Sequence, residues 1–457
     1  MTGSRRPTLA SPQGPRSPRT GRRPWRGLPV VAAAAGALLV TGCGAAPGAS
    51  EDSRPPVTVM TFAPEKTQAT NMPGMPAMAV AYARWVNARG GVDGHPLKVI
   101  TCNERNTAQG AAACAMRAVR EKAAAVVGSY SQHADAFLPP LEDAGIPFIG
   151  GFGISEAEFS SYLSYPVNGG QPALLAGHGV QLADACERVA LVRPDSATGD
   201  QLPELLNAGL AGAGNRTVDV LAPEDATDYT RAAARARETA GAGTGTGTGT
   251  GTNAPGSARD TGEEARPGCV TAALGERTET FFDSFRRLPD EGPRVKVSSV
   301  LSSVGQSLID RTGGREGPFE GAFITGWYPD SGDARWAAMK GVIADHAFAD
   351  NRIDPADSGV QTTWIAYTAL AAVIESLDTD EVTPHKISRA LDRGVRVTTG
   401  GLTPELRWEH QDMLGIPDFP RIVNSRVTFQ VVRDGRLVAQ REGFVDITET
   451  LAGAVSR

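Results

Sequence analysis

The stretch VNARGGVDGHPLKVITCNERNTAQGAAACAMRAVREKAAAVVGSYSQHADAFLPPLEDAGIPFIG, residues 86–150, decides the fold. Three apolar runs, LKVITCN (97–103), AAAVVGS (123–129) and PFIGG (147–151), alternate with helical segments such as Ala108 to Glu121. Continuous apolar runs of this length suit strands covered on both faces. Upstream, VTVMTFA (57–63) reads as a further strand, and a helix follows it with Met78, Tyr82, Trp85 and Val86 on one stripe. Pro76 suits the first turn of that helix, and Gly90–Gly91 end it, because glycine accepts a left-handed cap. The order is βαβαβαβ, and right-handed crossovers turn it into a doubly wound parallel sheet.

After a non-helical passage, SYPVNGG (164–170), the series repeats with VALVRP (189–194), TVDVLAP (217–223), CVTAALG (269–275), VKVSSV (295–300) and GAFITGWY (321–328). The same α/β architecture is written twice. A helix from Val360 to Leu377 carries Tyr367, Leu370, Ile374 and Leu377 on one face. Beyond it, VTFQVVRDGRLVAQ (427–440) predicts two strands joined by a tight turn at Asp434–Gly435. A Gly-Thr repeat within residues 241–266 has nothing apolar to bury and is expected to be a flexible, disordered surface loop.

Residues 1–42 contain seven arginines and no acidic residue, and their apolar run, Leu28 to Val40, has 13 residues. That is short of the roughly 20 a spanning helix needs and fits the core of a signal peptide. Val40-Thr41-Gly42-Cys43 resembles the lipobox of bacterial lipoproteins, which makes Cys43 the expected lipid anchor and residues 43–56 a flexible linker. Without the leader, 38 basic residues face 51 acidic ones, a net charge of −13. Such a surface repels phosphate backbones, so nucleic acid is excluded as a partner. About 415 residues exceed what one hydrophobic core sustains, and two lobes are expected. Setting Cys43 aside leaves Cys102, Cys114, Cys186 and Cys269, an even number in an oxidising compartment, hence two disulfides.

Taken together, residues 86–150 resemble the first lobe of the type I periplasmic binding proteins. More narrowly, they resemble the substrate-binding lipoproteins of ABC importers in the branched-chain amino acid class. Asn87, Gly90–Gly91, Gly94, the VVGS strand end and the Ala-Gly-Ile-Pro run stand in the family's order. The likeness covers nearly all of the mature chain, is clearest over residues 57–195, and weakens after the Gly-Thr repeat. It implies two α/β lobes joined by a three-crossing hinge, with 57–170 and 332–422 forming lobe I and 171–331 and 423–457 forming lobe II. It also implies disulfides Cys102–Cys114 and Cys186–Cys269. The expected protein is a monomer, lipid-anchored on the extracytoplasmic face of the cell membrane, that passes a small-molecule ligand to an ABC permease. A ligand-sensing lipoprotein of a signalling system would have the same binding fold.

In open α/β sheets, ligands sit beyond the carboxyl ends of the strands, where helix N-termini favour anionic groups. GSYSQHAD (128–135) is such a place. In the family, hydroxyls and amides of this loop grip a ligand carboxylate, which makes Ser129, Tyr130, Ser131 and Gln132 candidates; Ser131 also suits a helix cap. At the next strand end, GGFGIS (150–155), Phe152, Gly153 and Ser155 are candidates, with Ile154 where relatives commonly carry threonine. Phe152 either faces the ligand or lies beneath the loop.

Across the cleft, Thr198 stands where the family usually has tyrosine. Tyr229 matches a family pair with Asp228 that often caps a helix. After VKVSSV the family's acid is replaced by Leu301-Ser302-Ser303. A buried ligand ammonium needs an opposite charge, and Glu276 or Asp195 is available, though neither matches the motif. Trp327 either stacks on a ligand or belongs to the core. The expected ligand is therefore a small polar compound, either an amino acid or amide or one that is partly aromatic.

An enzyme reading finds no machinery. The sequence lacks a G-x-S-x-G elbow, an H-E-x-x-H helix, a Walker loop and an EF-hand loop. Its six histidines, at 95, 133, 178, 346, 385 and 410, lack metal-ligand spacing. No catalytic residue, cofactor or metal is expected.

Overall fold

The computed structural model describes residues 54–67, 70–196, 199–223, 226–242, 266–275, 277–289, 292–300 and 303–454. The leader, Cys43 with nearly all of the linker, most of the Gly-Thr repeat, Thr198 and Glu276 lie outside the described residues.

The first sheet contains β1 (Val57–Ala63), β2 (Leu97–Asn103), β3 (Ala125–Val127), β4 (Phe148–Ile149) and β5 (Ser164–Tyr165). Its strands are parallel and ordered β2-β1-β3-β4-β5. The second contains β6 (Arg188–Pro194), β7 (Thr217–Ala222), β8 (Gly268–Ala272), β9 (Val295–Val300) and β10 (Phe323–Gly326), parallel in the order β7-β6-β8-β9-β10. The two orders are the same once numbering restarts, so the doubled pattern of the sequence is a doubled topology. An antiparallel extension, β11 (Arg426–Arg433) with β12 (Arg436–Ala439) and β13 (Val445–Asp446), continues the second sheet beyond β10.

Each sheet is covered on both faces, which is why its strands read as unbroken apolar runs. In lobe I, Val59, Val127, Ile149 and Tyr165 meet helices Gly74–Asn87 and Ser358–Leu377 through Tyr82, Trp364, Tyr367 and Leu370. The opposite face places Met60, Phe62, Val126 and Phe148 against helices Ala108–Arg120 and Ala134–Asp143. In lobe II, helices Gly170–Ala185 and Leu202–Leu210 cover one face, and Thr230–Gly241 and Arg277–Arg286 the other.

Both disulfides implied by the family likeness form. Cys102 of β2 is joined to Cys114 on the following helix, and Cys186 to Cys269 of β8. The second bond is possible because β6 and β8 are sheet neighbours. The hairpin at Asp434–Gly435 also forms, with both residues at positive φ, 51° and 71°, as a two-residue turn of the twisted type requires. Both turn N–H groups donate to the Glu320 carboxylate at 2.9 Å.

The chain passes between the sheets three times, after β5, after β10 and before β11. Tyr328 ties these crossings together. Its hydroxyl accepts from Asn168 Nδ2 at 2.8 Å and lies 2.9 Å from Thr362 Oγ1. Its carbonyl accepts from Thr428 Oγ1 at 2.7 Å and Gln430 Nε2 at 3.0 Å. Burial pushes the Tyr328 phenol up to about 12, so it remains a neutral donor and acceptor.

Candidate ligand-binding cleft

The carboxyl ends of both sheets border one cavity of about 460 Å³. Lobe I contributes Thr70, Asn71 and Met72 after β1, Tyr130 and Gln132 after β3, and Phe152 and Ile154 after β4. Lobe II contributes Ala273 and Gly275 after β8, Val300 at the end of β9, and Ser303, Ser307 and Arg311 beyond it. Asp354, Ala356, Asp357 and Ser358, leading into helix Ser358–Leu377, complete the rim. This is where the reversal of strand order in a doubly wound sheet leaves an open crevice.

The loop after β3 begins with Gly128 at φ +57°, and a Cβ there would stand 2.9 Å from Thr363 Cα. Only glycine lets the loop turn against that helix. The Ser129 hydroxyl accepts from Phe62 N at 3.1 Å, fastening the loop to β1. Tyr130 N donates to Phe62 O at 3.0 Å, and its hydroxyl accepts from Gln132 Nε2 at 3.2 Å. Ser131 Oγ donates to Glu104 Oε2 at 3.3 Å and accepts from His133 N at 3.1 Å, so it braces the turn before helix Ala134–Asp143, whose N-cap is His133 rather than Ser131. Thus Tyr130 and Gln132 face the cavity, while Ser129 and Ser131 hold the loop that presents them.

The loop after β4 turns through Gly150 and Gly153, at φ +62° and +82°. Phe152 borders the cavity and also has a packing role, its ring edge-on to Tyr130 at 5.2 Å and to Trp327 at 5.0 Å. Trp327 stands behind it, 1 % exposed, with Nε1 donating to Gly170 O at 2.9 Å. Ser155 caps a short helix by a reciprocal exchange with Glu158. The Glu158 carboxylate accepts from the N–H groups of Gly153 at 3.2 Å, Ile154 at 3.0 Å and Ser155 at 3.1 Å. Burial raises the pKa of this carboxyl, and those donors pull against the rise.

Tyr229 is 2 % exposed in the lobe II core, its hydroxyl donating to Pro223 O at 2.8 Å and its ring edge-on to Phe281. Asp228 accepts from Thr230 N at 3.0 Å, which lowers the Asp228 pKa and opens helix Thr230–Gly241.

Four contributors to the cleft have no place in the sequence reading: the 70–72 loop, the start of helix Gly170–Ala185, the 303–311 segment apart from Ser303, and the 354–358 segment. Asp357 had a local signal, since it caps the next helix by accepting from Val360 N at 2.9 Å. Ser307 and Asp354 meet across the cleft, the Ser307 hydroxyl donating to the Asp354 carboxylate. Arg311 and Glu279 pair at 2.8 Å, both about half exposed, a contact worth under about 1 kcal/mol. Among the described residues no group of three metal-ligating side chains comes together.

A family model described as periplasmic binding protein matches residues 67–414. The chain belongs to that family. No curated protein matches this periplasmic binding protein. Among solved structures it is similar to a branched-chain amino acid ABC transporter protein from Thermus thermophilus with bound valine. That likeness has 14% identity, covers 89% of this chain and 100% of the other, and has a TM-score of 0.67. A possible leucine/isoleucine/valine-binding protein from Rhodopirellula baltica aligns at 13% identity over 86% of this chain and 98% of its own, with a TM-score of 0.66. A solute-binding protein from R. palustris in complex with 4-hydroxybenzoate aligns at 14% identity over 85% and 97%, with a TM-score of 0.61. At such identities the likeness establishes the two-lobed fold of this binding protein and leaves its ligand to the residues of its own cleft.

Proposed function

We propose that this binding protein captures a small polar solute between its lobes and delivers it, chemically unchanged, to an ABC permease. The observation that carries the reading is the cavity at the carboxyl ends of both sheets, bordered by residues of both lobes. Tyr130, Gln132 and Phe152 contact the ligand from lobe I. Ser129, Ser131, Gly153 and Ser155 hold those loops in place, and Trp327 and Tyr229 stiffen the walls. Cys43 carries lipid, and the mature monomer works on the extracytoplasmic face of the membrane, the two lobes closing about the hinge at Tyr328.

Structural neighbours with bound valine and with 4-hydroxybenzoate agree with a cavity for one small molecule. The test is a thermal-shift screen of the purified protein over amino acids, amides, small aromatics and amines. A ligand bound only by the folded state raises its melting temperature, and small-angle scattering is expected to show compaction with the same compound. Turnover of any compound, or the absence of any stabilising one, overturns the proposal. Metabolic labelling with a radioactive fatty acid is expected to mark the protein and to be lost in Cys43→Ser.

A further inference from the structure

Two loops of lobe I would ordinarily offer N–H and hydroxyl donors to an anionic ligand; three N–H groups of one and a hydroxyl of the other already donate to carboxylates of the protein itself. In the loop after β4, the consecutive N–H groups of Gly153, Ile154 and Ser155 all point at Glu158, which is 3 % exposed. In the loop after β3, the Ser131 hydroxyl donates to Glu104, which is fully buried and also accepts from Asn106 N at 3.1 Å. Beneath its ligand-facing loops, lobe I thus carries acid in the places where a bound anion would sit.

The cavity wall has the same sign. Glu279, Asp354 and Asp357 border it, and among the described residues the one cation on its lining is the Arg311 guanidinium, which Glu279 already holds. Asp354 receives Ala356 N and the Ser307 hydroxyl, and Asp357 receives Val360 N; neither has a cationic partner among the described residues. Arg352, two residues before Asp354, is engaged with Asp350 at 2.7 Å and Glu65 at 3.5 Å. Burial, with Asp354 nearby, raises the pKa of the Asp357 carboxyl, as expected for two acids that lack a counter-ion. Tyr130 and Phe152 border the same cavity but are almost fully buried, so its acidic groups rather than its rings set the charge it prefers.

We infer that the cleft takes a small organic cation, a primary or quaternary ammonium compound without a carboxylate of its own. The ammonium completes the charge of Asp354 and Asp357, and its alkyl part fills the rest of the cavity between the lobes. This rests on the reading of the cavity as the solute site.

The test is calorimetric titration and thermal shift of the purified protein with choline, putrescine, valine and 4-hydroxybenzoate. Choline or putrescine is expected to bind, more weakly as salt is raised. Asp354→Asn and Asp357→Asn are expected to weaken that binding at least about tenfold, while asparagine still caps the helix at 357. Melting temperatures of the ligand-free variants check that both fold. Arg311→Gln frees Glu279 and is expected to tighten cation binding. If valine or 4-hydroxybenzoate binds instead, and Arg311→Gln abolishes it, the cation inference fails while the solute-binding reading stands. If neither amine binds and no other compound of the broader screen does, both fail; if only a neutral or anionic compound of that screen binds, the inference alone fails.

Discussion

His178 is 1 % exposed on helix Gly170–Ala185, with Nδ1 3.0 Å from Thr325 Oγ1 and Nε2 3.3 Å from Thr271 Oγ1. Burial pushes its pKa down to about 3, whereas in the unfolded chain it titrates near about 6.5. Below that pH the unfolded state binds a proton that the folded state refuses. The contribution of His178 is therefore complete above about pH 6.5 and is lost as pH falls toward about 3, on the order of 3 kcal/mol by about pH 4. Glu104, Glu158 and Asp357, whose pKa values burial raises, act in the opposite sense: their contribution is present at low pH and is lost as pH rises through the folded value. Comparing wild type with His178→Gln cancels those acids. The urea midpoint of the wild type is expected to fall more steeply between about pH 6.5 and about pH 4 than that of the variant.

At the scale of elements, the two disulfides enclose very different lengths of chain, 12 residues for Cys102–Cys114 and 83 for Cys186–Cys269. Loop-closure entropy assigns them about 3 and about 4.5 kcal/mol. Replacing Cys186 and Cys269 by serine is expected to lower the denaturant midpoint more than replacing Cys102 and Cys114. In the hairpin between β11 and β12, a Cβ on Gly435 would stand 2.5 Å from Arg315 N, and its φ is +71°. Gly435→Ala is therefore expected to cost at least about 1–3 kcal/mol in the same assay.

Strands, their doubled order and the hairpin were legible because sheets covered on both faces leave apolar runs, and a two-residue turn leaves Asp-Gly. The disulfide pairing followed from the family likeness and from which strands it makes neighbours. The occupied donor loops were less visible. The S-x-x-E spacing of Ser155 and Glu158 stands in the sequence, yet the capture of the Gly153 and Ile154 N–H groups depends on the positive φ of Gly153. The Ser131–Glu104 contact spans 27 residues and two strand ends, and no local pattern predicts it. The rim at 354–358 reaches lobe I from far along the chain, so only the assembled fold brings it beside Tyr130.

At the scale of the whole molecule, the bond from Ser307 to Asp354 joins lobe II to lobe I at the mouth of the cleft. A hydrogen bond to a carboxylate contributes about 1.5–3 kcal/mol, and one made only when the lobes are together biases the open–closed balance. Ser307→Ala is expected to enlarge the radius of gyration of the ligand-free protein in scattering and to weaken ligand binding about fivefold or more, with little change in melting temperature.

The three passages between the sheets impose an order of birth on the protein. Strands β1 to β5 leave the ribosome first, but helix Ser358–Leu377, which buries one of their faces, is made some two hundred residues later. On that side the earlier half has only helix Gly74–Asn87 as cover until most of the rest has been synthesised. A premature stop between the end of β10 and the end of that helix strands two unfinished halves instead of releasing one finished lobe, and a gene fusion that exchanges one contiguous stretch cannot trade a lobe between relatives.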